Sequence, residues 1–146
     1  MNTIHLALAF VVVIFAMTPL HTHAQQGGSL ANDPREYVMA SGDSTITLKR
    51  YVMCIYLTGK NRSQSDEEAM KIQREHLAYQ DSLHKTGILL VAGPFGGGGS
   101  KRGIVIYDLD HPSEALPYVQ NDPAVKAGRL EFELLEWWTQ KGVVIK

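Results

Sequence analysis

The segment 65–95 constrains the fold most, because it joins a capped helix to a buried strand. Ser65 followed by Glu68 is a capping box, and Gly87 is a typical helix stop. Between them, residues spaced by three and four form the stripe that a helix turns toward a core: Ala69, Ile72, His76, Tyr79 and Leu83. His76 is therefore predicted to face inward, either as a functional group or as a core histidine with a satisfied hydrogen bond.

The elements around this segment alternate in a simple order. Strands are predicted over residues 51–57, 88–95, 103–107 and 129–138. Helices are predicted over 66–86 and from 113 to the break at Asn121-Asp122-Pro123, with Pro117 kinking or shortening the second one. The order strand, helix, strand, strand, helix, strand predicts an α+β, ferredoxin-like βαββαβ fold, in which a four-stranded antiparallel sheet carries two helices on one face.

The other face of this sheet is expected to need a cover. It would carry side chains such as Met53 and Ile55, or their neighbours of opposite parity, which are too apolar to leave in water. A homodimer that buries two such faces is the simplest arrangement.

Length and charge limit the classes of protein that this chain can belong to. Its 146 residues suit one folded domain. Because 14 Lys and Arg balance 15 Asp and Glu, no nucleic acid or anionic membrane partner is expected. Residues 1–24 are interpreted as a signal peptide, 25–49 as a linker or N-terminal arm, and 50–146 as the folded domain.

The first 24 residues differ from the rest of the chain. They contain no Asp, Glu, Lys or Arg, and their apolar run is shorter than the ~20 residues of a membrane-spanning helix. Thr22 and Ala24 place small residues at the −3 and −1 positions of a cleavage site, although the usual Lys or Arg near the amino terminus is missing. We expect a secreted or periplasmic protein without a stable membrane anchor, and an uncleaved anchor is the alternative.

This expectation predicts the amino terminus of the exported protein. N-terminal sequencing of secreted or periplasmic material should give Gln25 as the first residue, because cleavage follows Ala24. Mature protein that still begins at Met1 would contradict it.

Several sequence signals for chemistry fail on their context. The glycines at 96–99 lead into a strand, and Gly99-Ser100-Lys101 reverses the order of a P-loop, so they indicate a hairpin tip. The histidines lack metal-ligand spacing, and no G-x-S-x-G motif is present. Cys54 is a lone cysteine in an apolar run and is interpreted as a small buried hydrophobe. No metal site and no cofactor are expected.

The remaining candidate is His76 together with a carboxylate. In a βαββαβ fold the two helices lie side by side, so the break at Asp122 can approach the first helix. An Asp bonded to one imidazole nitrogen fixes the tautomer and leaves the other nitrogen for proton transfer. The residues alone favour a purely structural role for both side chains, since buried polar groups usually just satisfy each other.

Short motifs in a consistent order favour a functional role for this pair over a purely structural one. They are Glu75-His76-Leu77, Gly87-Ile88-Leu89, Ala92-Gly93-Pro94-Phe95, Arg102-Gly103-Ile104 and the run from Asp122 to Leu130. Together they resemble the YCII-related (YciI-like) family from about residue 50 to 138. The resemblance implies a dimeric α/β-barrel of ferredoxin-like subunits whose active site is built on a histidine and an aspartate, here His76 and Asp122.

The resemblance also implies a class of function. Relatives include an enzyme that removes HCl from a chlorinated aromatic diol or triol, which favours lyase, dehydrochlorinase or isomerase-like chemistry on an unidentified small molecule. Arg102, Gly93 and Trp137 are expected to contact this substrate. The glycine-rich hairpin departs from the family, whose members often have polar and acidic residues there. The alternative is a non-catalytic dimeric module that binds a small ligand or a partner.

Overall fold

The computed structural model describes residues 29–30 and 33–144. The predicted signal peptide, residues 1–24, lies outside these ranges, so its cleavage stays a prediction. Within the described ranges, no helix is both long enough and apolar enough to cross a membrane.

Six strands and three helices make up the described part of the chain. The strands are β1 (Ser29–Leu30), β2 (Glu36–Ser41), β3 (Ser44–Thr58), β4 (Leu89–Pro94), β5 (Lys101–Tyr107) and β6 (Leu130–Gln140). The helices are α1 (Asp66–Lys85), α2 (Pro112–Asn121) and α3 (Pro123–Lys126).

The strands form one antiparallel sheet with β3 at its centre. β3 pairs with β6 along one edge and with β5 along the other, and β4 pairs with β5 at the outside. The core strands therefore run in the order β4, β5, β3, β6, with helices packed on one face. The predicted α+β, ferredoxin-like arrangement is confirmed, and its pairing into a dimeric barrel stays a prediction.

The core lies between the sheet and the helices. Alternate residues of β3 point into it, and they are Val52, Cys54 and Tyr56. The helices add Leu83, Ala115 and Val119. The intervening β3 residues Met53 and Ile55 lie on the opposite face and are only half-buried, which matches the face that was expected to need a cover.

Helix α1 begins and ends where the sequence predicts. The Ser65 Oγ accepts a hydrogen bond from the Glu68 backbone N–H at 3.2 Å, and Gly87 follows the helix with a φ of 80°. Along its inward stripe, Ile72, His76 and Leu83 are buried. The prediction that His76 faces inward is confirmed.

Residues 25–49 were predicted to be a linker or N-terminal arm. Residues 25–28 and 31–32 of this range lie outside the described residues, and much of the rest forms strands. β2 and the first part of β3 form a hairpin, in register from Glu36 opposite Lys49 to Ser41 opposite Ser44. The turn contains Gly42, whose φ of 60° suits glycine. The sequence looked like a linker because this hairpin is largely polar and only half-buried, so it lacks the apolar run of a core strand.

Charged side chains fasten this hairpin to the rest of the sheet. Asp108, which follows β5, accepts Arg35 at 2.8 Å and Lys49 at 2.9 Å. Partial burial raises the pKa of the Asp108 carboxyl, but the hydrogen bonds and charges of Lys49 and Arg35 outweigh it and lower the pKa overall. These ion pairs add to the backbone hydrogen bonds by which β2 pairs with β3.

Two glycines let the loop after β3 touch the loop before β6. The Gly59 backbone N–H donates to the Arg129 carbonyl at 2.9 Å, and the Asn61 N–H donates to the Gly128 carbonyl at 3.0 Å. A side chain at position 59 would overlap this neighbouring backbone, since its Cβ would lie 2.6 Å from the Arg129 carbonyl carbon. Position 59 therefore requires glycine for space.

Replacing Gly59 should destabilise the fold. Gly59→Ala forces two backbone segments apart, and overpacking of this kind costs about 1–3 kcal/mol. The free energy of unfolding, measured by urea denaturation, should fall by that amount. Gly99→Ala is the matched control, because its Cβ would meet nothing within 4 Å. Equal denaturation midpoints for the two variants would contradict the prediction.

Candidate functional site

His76 and Asp122 meet between α1 and the break that separates α2 from α3. The His76 Nδ1 lies 2.7 Å from Asp122 Oδ2 and 2.8 Å from Oδ1. The Asp122 carboxylate is fully buried, and His76 is 7% exposed. The structure therefore brings together the two side chains that the sequence singled out.

The backbone at Asp122 explains how its side chain reaches inward. Pro123 disfavours a helical conformation at the preceding residue, and Asp122 has φ −61° and ψ 128°. From there its Oδ1 accepts the Ala124 backbone N–H at 2.8 Å, which caps α3, while its Oδ2 accepts the Tyr56 hydroxyl at 2.9 Å. A buried carboxylate with three donors is held in one orientation.

The hydrogen bonds around His76 assign its tautomer. A carboxylate only accepts, so Nδ1–H donates to Asp122 and Nε2 keeps its lone pair. The Gln80 side-chain amide, one helical turn further along α1, lies 3.1 Å from that Nε2 and donates to it. The nitrogen of His76 that does not bond Asp122 is therefore hydrogen-bonded to the Gln80 side chain.

Tyr56 supports the pair from the sheet. Burial, followed by the nearby Tyr107 and Asp122, raises the pKa of the Tyr56 hydroxyl far above its usual value. Tyr56 therefore remains a neutral donor to Asp122 at any physiological pH. Its ring also meets the His76 ring edge-on, with centroids 5.5 Å apart.

A cavity of about 480 Å³ opens beside His76, between α1 and the β4–β5 edge of the sheet. Its walls include His76, Gln80 and Tyr56 together with apolar side chains such as Ile72 and Leu130. The volume suits a small organic molecule, which could contact the imidazole after moving the Gln80 amide.

The other predicted site residues divide into two groups. Arg102 and Gly93 line the cavity. Trp137 does not, because it lies on β6 opposite Tyr51, with ring centroids 6.3 Å apart, on the sheet face that points away from the helices. A tryptophan near the end of a strand gave no information about which face it would occupy.

The interpretation of Cys54 as a buried hydrophobe agrees with its surroundings. It is fully buried in the core, and burial raises the pKa of its thiol to about 12. His84, the other histidine of α1, lies 2.9 Å from the Leu89 carbonyl through its Nδ1 and does not line the cavity beside His76. Among the described residues, no cluster of His, Cys, Asp or Glu could hold a metal ion.

Several polar cavity residues were not identified from the sequence, among them Tyr56, Arg62, Gln80 and Arg129. Gln80 could have been found, because a residue four positions after His76 lies on the same helical face. Tyr56 was counted as part of an apolar strand. The two arginines lie in loops, where sequence spacing does not indicate proximity.

Comparison with known proteins places the chain in a family. Residues 50–138 match the YCII-related domain. No curated protein sequence matches the chain. Among solved structures, the chain is similar to a 5-chloro-2-hydroxyhydroquinone dehydrochlorinase from Burkholderia phenoliruptrix in complex with 2,5-dihydroxybenzoquinone. The two are 26% identical with a TM-score of 0.45, over 59% of this chain and 92% of that one.

The family match begins within β3 and ends within β6. It includes both His76 and Asp122 and spans more than half of the chain. The chain belongs to the YCII-related domain family.

Proposed function

We propose that this protein is a small-molecule enzyme in which His76, oriented by Asp122, acts as general acid and base. The observation that carries the proposal is the buried His76–Asp122 bond beside a cavity of small-molecule size. Membership of the YCII-related family supports a catalytic role for this domain. Lyase, dehydrochlorinase or isomerase-like reactions fit this site, because they require proton transfer and the proposed pair would provide it.

The proposed reaction starts with displacement of the Gln80 amide. A substrate O–H or C–H then faces the lone pair on His76 Nε2, which removes its proton. The imidazolium that forms is stabilised by the Asp122 carboxylate, which also prevents the ring from turning. The same nitrogen can return the proton to a leaving group or to another carbon of the substrate, so the histidine ends each cycle unchanged.

One observation favours a second candidate, a non-catalytic ligand-binding module. With Gln80 in place, both nitrogens of His76 are satisfied, as expected for a histidine that only joins a helix to its surroundings. In that case a ligand would fill the cavity without touching Nε2. The two candidates differ in whether a small ligand changes the environment of the imidazole.

Removing the imidazole should separate these candidates. His76→Gln can keep a hydrogen bond to Asp122, so the fold should survive while turnover falls by ~10²- to 10⁴-fold. A chlorinated hydroxyquinol is a suitable first substrate, and chloride release measures turnover. The accompanying NMR titration should show the His76 ring protons shifting when substrate is added.

His84→Gln is the matched control for this experiment. It makes the same change on the same helix, but the His84 imidazole bonds a backbone carbonyl and does not line the cavity beside His76. It should keep wild-type turnover. Full activity in His76→Gln would exclude the proposed role, and ring protons that ignore the ligand would favour the binding module.

We also propose that the chain forms a homodimer through the sheet face opposite the helices. Met53 and Ile55 are half-buried on that face, and Leu135, which pairs with Met53, is 46% exposed. An apolar sheet face of this kind is rarely left in water. The dimeric barrel that the family resemblance implies would cover it.

A charge placed on this face should dissociate the dimer. Sedimentation velocity should give a dimer for the wild type and a monomer for Leu135→Glu, because an unpaired carboxylate at the centre of an interface is strongly unfavourable. Met70→Glu is the control, since Met70 is exposed on α1, on the helical side. A monomeric wild-type protein would refute the proposal.

A further inference from the structure

Three arginines, Arg62, Arg102 and Arg129, line the cavity. Among the residues that the structure describes, no Asp or Glu lines it. The Asp122 carboxylate lies behind His76 and is fully buried. In a chain whose overall charge is −1, this is a local concentration of positive charge.

Backbone hydrogen bonds bring the three arginines together from distant parts of the sequence. The Thr58 N–H donates to the Ser100 carbonyl at 2.8 Å, which places the end of β3 beside the start of β5. The next residue, Gly59, donates to the Arg129 carbonyl at 2.9 Å. The loop that carries Arg62 therefore touches the segments that carry Arg102 and Arg129.

None of these arginines forms an ion pair within the described part of the chain. Arg35 and Arg50 form ion pairs with aspartates, whereas the three cavity arginines have no carboxylate partner there. Arg129 instead donates to the neutral side chain of Gln64 at 2.9 Å, which orients its guanidinium without cancelling its charge.

The arginines are close enough to repel one another. Slight desolvation of this exposed side chain, and then the charges of Arg129 and Arg102, lower the pKa of the Arg62 guanidinium. Grouping like charges is unfavourable for the empty protein, and an anion bound among them would relieve that repulsion. Guanidinium groups also match the geometry of a carboxylate, which they can bind through two parallel hydrogen bonds.

The rest of the cavity indicates what the anion is attached to. Ile72, Leu77 and Ile104 give it apolar walls, and His76 lies at its inner side. We propose that the cavity binds a small organic acid, with its carboxylate held by Arg62, Arg102 and Arg129 and its apolar body against these walls. The inference deepens the proposed function and rests on it for treating the bound acid as the substrate class of His76.

A pair of isosteric probes tests the inference. Benzoate and benzamide share a planar apolar ring, but only benzoate carries a charge. Isothermal titration calorimetry should show that the wild type binds benzoate at least about tenfold more tightly, since a charge-assisted hydrogen bond is worth about 1.5–3 kcal/mol. The preference should weaken at high salt, where exposed charges are screened.

Arginine variants should remove this preference. Arg62→Gln and Arg102→Gln should each lower benzoate affinity by about tenfold or more and leave benzamide binding unchanged. Lys101→Gln is the matched control, because it removes the same charge from a neighbouring residue that does not line the cavity. The inference would be overturned if the wild type bound benzoate and benzamide equally or bound neither. It would also be overturned if the arginine variants kept the preference for benzoate.

His76→Gln distinguishes the two proposals. It should keep the wild-type preference for benzoate while losing turnover. If benzoate binding fails but His76→Gln is inactive, the organic-acid inference is wrong and the proposed acid–base role remains. If benzoate binds through the arginines but His76→Gln keeps full turnover, the anion site remains and the acid–base role is wrong.

Discussion

The site depends on the hydrogen bonds that the buried carboxylate of Asp122 accepts. A carboxylate removed from water is strongly destabilising unless donors surround it. Here the donors come from three elements, namely Tyr56 on β3, His76 on α1 and the Ala124 amide of α3. Sheet, long helix and short helix are therefore held in one arrangement, which also fixes the orientation and tautomer of His76.

The fold could be predicted from sequence wherever apolar periodicity was strong. The inward stripe of α1 and the continuous apolar run of β3 are consequences of burial, so a pattern of residue types reveals them. The hairpin formed by β2 and the start of β3 was not predicted. Arg35 and Lys49 form ion pairs with Asp108, and a short stretch of sequence does not show such distant partners. Trp137 was misplaced since its strand carries large apolar residues on both faces.

The site could be predicted only in part, for a related reason. His76 and Asp122 follow from a helix stripe and a proline-induced break, which are local signals. The family resemblance also indicated Arg102. Arg62 and Arg129 were missed because their approach to it depends on backbone contacts among three loops, and the contact at Gly59 leaves no space for a side chain. A glycine required for close approach looks the same in sequence as a glycine in an ordinary turn.

The glycine-rich tip between β4 and β5 has a consequence for how this protein could diversify. Side chains added at residues 96 and 99 would meet nothing within 4 Å, yet the strands that the tip joins contribute Pro94 and Gly103 to the cavity wall. Lengthening a flexible loop costs little, about 0.6 kcal/mol for each doubling. New residues at this tip would extend two strands that carry cavity residues while the buried Asp122 network stays intact, which makes the hairpin a natural place for selection, or an engineer, to change the cavity wall.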